Sequence, residues 1–188
     1  SAGKMGFALA EACAEAGAEV MVVAGPVSLK TNHSSIDRID VESAEEMYRA
    51  VLSEYDRSDI AIMCAAVADY APETGSDVKL NRTGEDRILR LRPNPDIAAE
   101  LGRRKRPGQC LVGFALETND EEMNARLKME KKNLDFIVLN SLRDAGAGFQ
   151  CDTNKVTVIG TQGEPMEIPC KHKIEVAADI VDIIGRYV

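Results

Sequence analysis

Two hydrophobic periods alternate along this chain, and that alternation restricts the fold more than any single motif. Helix-length stretches with apolar residues every three or four positions exchange with short runs that are apolar throughout or at every second position. Gly6 to Gly17 reads as a helix, with Leu9, Ala12, Cys13 and Ala16 on one stripe and Gly17 as its stop. "EVMVVAG" follows as a strand ended by Gly25-Pro26, and "SIDRIDV" alternates as a second. Ser43 caps the next helix, Glu46 completes a capping box, and Met47, Val51 and Leu52 face inward. "DIAIMCAAVAD", Asp59 to Asp69, is apolar throughout, as expected of a strand buried on both faces.

A polar stretch without periodicity runs from Tyr70 to Gly84, and "RILRLR" then alternates as a strand. "NPDIAAELGRR" predicts a helix with Asn94 as N-cap and Pro95 at its first position. "QCLVGFALET" predicts another buried strand, Asp120 to Lys132 a charged helix, and "LDFIVLN" a further strand. "KVTVIG" and "PMEIP" predict a small β-hairpin around Thr161 to Gly163. A final helix, Lys173 to Tyr187, carries Val176, Ile180, Ile183 and Ile184 on one side. The whole is expected to be a single α/β domain over residues 1–188. It is Rossmann-like, with a mostly parallel sheet, helices on both faces and the hairpin near the C-terminus. In such open sheets a ligand lies beyond the carboxyl ends of the strands. That rule selects "AAVADYAPE", the stretch holding Lys79, "GFALET" and "LNSL" as site walls.

Composition narrows the partners. The 188 residues carry a formal net charge of −8, which opposes a nucleic-acid or membrane-surface role. The basic runs "RRKR" (Arg103 to Arg106) and "KMEKK" (Lys128 to Lys132) suit a small anion or a solvated helix end. Five cysteines without CxxC spacing fit free thiols in a reducing cytoplasm. Two histidines, His33 and His172, give no zinc site and no His-based triad.

The opening "SAGKMG" turn fits neither of two known phosphate loops. A Walker A loop needs Ser or Thr after its lysine, and here Met5 follows Lys4. A dinucleotide fingerprint needs three glycines after a strand, and only Gly3 and Gly6 match. What remains is general: free N–H groups and the dipole of a helix start favour an anion, and Gly3 allows close approach.

Taken together, "SAGKMG", "AAVADYAP", "VKL", "NPDI", "VGFALET", "KNLDFIVLN" and "GFQCDTNKV" occur in a specific order and spacing. Over nearly its whole length the chain resembles bacterial phosphopantothenate–cysteine ligase. In many bacteria that domain forms the C-terminal half of a bifunctional coenzyme A biosynthesis flavoprotein. The resemblance implies two steps. The carboxylate of 4′-phosphopantothenate attacks CTP with magnesium assistance, giving an acyl cytidylate. Cysteine then displaces CMP.

It further implies that Met63, Cys64 and Ala65 touch the nucleotide through their backbone, and that Asp69 hydrogen-bonds it. Lys79 would neutralise phosphate charge, with Asp69 and Lys79 nearest the chemistry. Pro95, Asp96, Ile97 and Ala98 would form a phosphate- or base-binding helix start, and Phe114 would lie against base or ribose. Lys128 and Lys132 would face the triphosphate, while Ser1, Gly3, Lys4 and Asn140 would serve phosphate and substrate. Metal ligands stay unassigned. A homodimer is implied, with "RILRLR" as the local hint of an interface, as is possible fusion to a decarboxylase half, the only place for FMN.

Three departures stand out. Lys79 is followed by Leu80-Asn81-Arg82 rather than further lysines, and Leu139-Asn140-Ser141 keeps only the asparagine of the family's "AND". The family's "SN" and its first strand, ahead of the opening turn, lie outside these residues, which implies weak or absent ligation by these residues alone. Two rival readings remain. One is a non-catalytic nucleotide-binding or dimerisation module. The other is an NAD(P)-dependent oxidoreductase, opposed by Ala24-Gly25-Pro26 where a ribose-binding acid would stand.

Overall fold

The computed structural model describes residues 2–74, 84, 88–117, 120–141 and 152–187, with Ser141 described by its backbone alone. It begins with α1 (Lys4–Glu15), β1 (Val20–Ala24), β2 (Ile36–Asp40), α2 (Ala44–Tyr55) and β3 (Ile60–Met63). There follow β4 (Tyr70–Pro72), β5 (Leu91–Pro93), α3 (Ile97–Arg104), β6 (Cys110–Glu117), α4 (Glu121–Lys131) and β7 (Phe136–Ser141). β8 (Thr153–Gly160), β9 (Met166–His172) and α5 (Lys173–Gly185) complete the chain.

Five strands form the main sheet in the order β3-β6-β7-β8-β9. β3, β6 and β7 are parallel, while β8 is antiparallel to both β7 and β9. The C-terminal hairpin is therefore an extension of the main sheet rather than a separate small element. β1 and β2 form their own parallel pair. The Rossmann-like expectation holds, with helices on both faces. On one face α1 and α5 cover Cys110, Val112, Val138, Val156 and Val158. On the other, α2, α3 and α4 cover Leu111, Ile137, Leu139 and Ile159. The odd and even residues of β6 and β7 serve different cores because side chains alternate along a strand.

Local chemistry explains most boundaries. α1 starts two residues earlier than the expected Gly6, because Gly3 takes a left-handed conformation (φ 77°) and its carbonyl accepts the Phe7 N–H at 3.0 Å. Its buried residues are Phe7, Ala8, Leu9, Ala10 and Ala14, so the expected stripe is shifted. Gly17 (φ 93°) ends it in a Schellman motif: the Ala18 N–H reaches Cys13 O and the Gly17 N–H reaches Ala14 O, both at 3.0 Å. Ser43 caps α2 as expected, and the Glu46 carboxylate accepts the Glu42 N–H at 2.8 Å.

Three strand expectations are corrected. The Asp59–Asp69 run is a strand only over Ile60–Met63, where Cys64 N–H turns back to Ile62 O at 3.2 Å. β3 is not buried on both faces; Ile60 is exposed and the rest half-buried. "RILRLR" contributes only Leu91 and Arg92 to β5, which pairs with β4 as an exposed two-stranded ribbon. Asn94 does not cap α3. Asp96 does, accepting the Ala99 N–H at 3.1 Å, while Asn94 holds the loop after β3 by donating to Ala68 O. α4 ends at Lys131, and α5 at Gly185. Among the described residues no helix is long and apolar enough to cross a membrane.

One close contact ties α3 to α4. A Cβ on Gly102 would lie 1.9 Å from the backbone oxygen of Lys132, and Asn133 Nδ2 donates to Gly102 O at 2.8 Å. Backbone cannot yield as a flexible side chain does. Gly102→Ala should therefore cost about 2–3 kcal/mol and lower the melting temperature by roughly 4–12 °C. A circular-dichroism melt coinciding with wild type would contradict this packing.

Candidate functional site

The parallel strands β3, β6 and β7 end on one edge of the sheet, and β9 ends there too because two antiparallel steps restore its direction. α1 and α5 start on this edge on one face, and α3 starts with the cap Asp96 on the other. Free N–H groups at helix starts carry partial positive charge and favour anions. The edge is thus built to receive negative charge in a chain that is acidic overall.

Most of the residues implied by the resemblance reach this edge, in two groups. On the α3–α4 face, Lys132 bridges both carboxylate oxygens of Asp96 at 3.1 and 3.0 Å. Lys128 forms an ion pair with Glu117, the last residue of β6. Lys128 and Lys132 are thus held by different carboxylates, and Lys132 lies just beyond α4 as its C-cap. Glu117 is shielded, its side chain 13% exposed, and it was not singled out from the sequence. The alternation of "GFALET" is the signal that could have found it: Glu117 follows Leu111 and Ala115 on the buried odd face.

On the α1–α5 face, Lys4 pairs with Asp152 at 2.6 Å, just ahead of β8. A Cβ on Gly3 would meet the Val27 side chain at 3.4 Å, while Asn140 lies half-buried at the end of β7. Met63 closes β3; Cys64 and Ala65 follow it, and Asp69 is exposed, its carbonyl accepting the Asn94 N–H at 2.8 Å. Phe114 is half-buried against the α1–α5 core. Ile97 is buried in the opposite core, which leaves its backbone rather than its side chain for a ligand; Pro95 and Ala98 flank the Asp96 cap. Lys79 and Ser1 lie outside the described residues.

Electrostatics follow from these contacts. Burial opposes ionisation of Asp96, but the Ala99 N–H and the Lys132 ammonium outweigh it and hold the carboxyl below its usual value. Hydrogen bonds from Arg103 and Arg104 take Glu100, one turn along α3, to about 2. Burial pushes the Cys64 thiol up to about 12, against the nearby positive charge of Lys173, so Cys64 is no nucleophile at neutral pH. Among the described residues no group of three or more His, Cys, Asp or Glu side chains is placed to hold a metal ion.

Lysines and helix starts gathered at the strand ends of a Rossmann-like domain make an edge suited to an anionic ligand. Comparison with known proteins gives the family. Residues 1–187 match the model of the DNA/pantothenate metabolism flavoprotein C-terminal domain, and the chain belongs to that family. A protein named Cysteine/Cysteine sulfinic acid decarboxylase, from an unknown prokaryotic organism, is 52% identical over 96% of this chain and 50% of its own length. The Coenzyme A biosynthesis bifunctional protein CoaBC of Bacillus subtilis strain 168 is 47% identical over 98% of this chain and 45% of its own. The chain thus spans about half the length of these relatives. A crystal structure of the C-terminal domain of CoaBC is 37% identical, covers 100% of this chain and 83% of its own, and superposes with a TM-score of 0.82. A Cab2 mutant in complex with phosphopantothenate-cysteine shares the fold at 16% identity, with a TM-score of 0.75 over 99% of this chain and 78% of its own.

The Asp96 pair generates an acid-stability prediction. A carboxyl whose folded value is depressed stabilises the fold above its unfolded value of about 4 and loses that contribution as pH falls through the folded value. The Asp96 side chain is 49% exposed, so the pair contributes under ~1 kcal/mol. Asp96→Asn keeps a capping oxygen but not the charge. Its urea midpoint should lie below wild type at pH 5 and converge with it toward pH 2, whereas parallel curves would contradict the pairing.

Proposed function

We propose that this domain is a phosphopantothenate–cysteine ligase that uses CTP and works in coenzyme A biosynthesis. The observation that carries the reading is the match over residues 1–187 to a family that includes CoaBC proteins. Its physical support is that Lys4, Lys128 and Lys132, each held by a carboxylate, lie beside the starts of α1, α3 and α5.

In this reading the carboxylate oxygen of 4′-phosphopantothenate attacks the α-phosphorus of CTP. The bond to pyrophosphate breaks, and pyrophosphate leaves with its electron pair. The cysteine amine next attacks the acyl carbon, the bond to CMP breaks, and 4′-phosphopantothenoylcysteine results. Both steps concentrate negative charge, so cations and oriented N–H groups lower the barriers more than a strong nucleophile would. Lys128 and Lys132 would exchange Glu117 and Asp96 for the triphosphate, and we assign to Lys79 and Asp69 the roles at the reacting centre that the resemblance implies. Met63, Cys64 and Ala65 offer backbone groups at the end of β3. Magnesium bound with the nucleotide would offset the charge of the triphosphate in the first step. FMN would be needed only where a decarboxylase segment is joined to this domain, and the setting we assign is the cytoplasm.

The unpaired sides of β1 and β3 among the described residues support one further strand there, feeding α1, as the resemblance implies. Charge-assisted hydrogen bonds are worth about 1.5–3 kcal/mol, so Lys128→Met and Lys132→Met should each weaken CTP binding about 10- to 100-fold. CTP should raise the melting temperature of wild type where NADH and ATP do not. No shift with any nucleotide would favour a non-catalytic module.

We propose a homodimer through the β4–β5 ribbon, where Tyr70, Ile88, Leu89 and Leu91 expose 60%, 94%, 66% and 55% of their surface. Sedimentation equilibrium should give twice the monomer mass, and Leu89→Glu the monomer mass. A monomeric wild type would refute this interface.

A further inference from the structure

The guanidinium of Arg38, in β2, is committed to contacts within the fold that the steps above do not use. Its Nε donates to the Asp40 carboxylate at 2.8 Å, and a terminal nitrogen reaches the same oxygen. The terminal nitrogens also donate to Leu29 O and, at 3.3 Å, to Val27 O, in the loop that follows β1. The group lies over the Phe7 ring, 5.3 Å from its centre. The side chain is only 21% exposed, and its charge is met by Asp40.

These partners surround the first turn of α1. Val27 follows a tight turn, its N–H on Gly25 O at 2.7 Å. A Cβ on Gly3 would meet both methyl groups of Val27, at 3.4 and 3.5 Å, and the Phe7 ring at 3.6 Å. Gly3 therefore sits against the two residues that Arg38 holds, Val27 by its carbonyl and Phe7 by its ring. Toward the main sheet, Lys4 is tied to Asp152, and Ala8 and Leu9 pack into the core. The turn is thus held from the β1–β2 pair by Arg38 and from the main sheet by Asp152.

A lysine at this position could keep the charge and the ring contact but not the fork. One ammonium nitrogen cannot span two loop carbonyls and the Asp40 carboxylate as a planar guanidinium does. The arginine is matched to a geometric task. We propose that Arg38 is a positioning residue for the nucleotide, fixing the Gly3–Lys4 turn where the start of α1 receives a phosphate of CTP. This rests on the ligase reading, which assigns phosphate to Gly3 and Lys4. Arg38 acts through Val27 and Phe7 rather than by contact with the substrate. The pull of a helix start on an anion fades within one turn, so a small displacement of this turn is felt in affinity.

The test separates positioning from loss of fold. In the intact polypeptide, Arg38→Lys should raise KM for CTP about 5- to 30-fold while KM for cysteine stays within about twofold of wild type. A variant that is merely part unfolded loses active enzyme, which lowers the maximal rate and leaves each KM in place. An unchanged KM for CTP, or an equal rise for cysteine, overturns the positioning role. Should Arg38→Lys not fold, Val27→Ala removes the contact on Gly3 and is read the same way, with a rise of about 3- to 10-fold expected. Failure of wild type to release pyrophosphate from CTP and phosphopantothenate would overturn the ligase reading instead. Calorimetry with inorganic pyrophosphate then decides the role of Arg38. Wild type should bind it about 5- to 30-fold more tightly than Arg38→Lys, and equal binding, or none to wild type, refutes the proposal.

Discussion

β6 is buried on both faces at once, and the other elements are placed by that burial. Leu111 and Val112 are neighbours in sequence and both fully buried, yet they belong to different cores. The even side of the strand is roofed by α1 and α5, and the odd side by α2, α3 and α4. Side chains alternate along an extended backbone, so a register slip of one residue would exchange the two sets and break both cores. The parallel pairings of β6 with β3 and β7 then carry the strand ends to one edge. There the chain can gather groups from distant parts of the sequence.

What it gathers is charge, already paired. Lys4, Lys128 and Lys132 are each in contact with a carboxylate: Asp152, Glu117 and Asp96. These exposed or half-exposed pairs add little to stability in solvent. Their consequence is positional: each cation is already extended toward the strand ends, and exchanging a carboxylate for a phosphate oxygen needs only a small movement. The close contact of Gly102 with Lys132 O sets how near α3 and α4 lie, and so whether Lys132 can span to Asp96. The α1–α5 side differs in kind. It holds the buried Lys173 and two carboxamide oxygens, those of Asn140 and Asn154, shielded from solvent.

The sequence was most legible where one local rule acted alone. The Ser43 cap, the Gly17 stop, the buried alternation of β6 and the turn between β8 and β9 depend on a few adjacent residues, and each was readable. It misled where a tertiary contact competed. Asn94-Pro95 reads as a helix start, yet Asn94 is drawn to Ala68 O and Asp69 O in the loop after β3, and Asp96 takes over the cap. The run from Asp59 to Asp69 is apolar enough for a long strand. Pairing with β6 ends at Met63, opposite Gly113, and the backbone turns away. Glu117 and Lys173 drew no notice because a single charged residue has no periodicity to mark it.

By itself the sequence determined the α/β class, the chain order of most helices and strands, and the family, because these rest on period, caps and motif order. Only the tertiary structure decided which carboxylate holds which lysine, that the C-terminal hairpin extends the main sheet, and that Asn140, Asn154 and Lys173 face one layer. Those facts join residues far apart in the chain, and a distance between them exists only after two cores have closed on the two faces of β6.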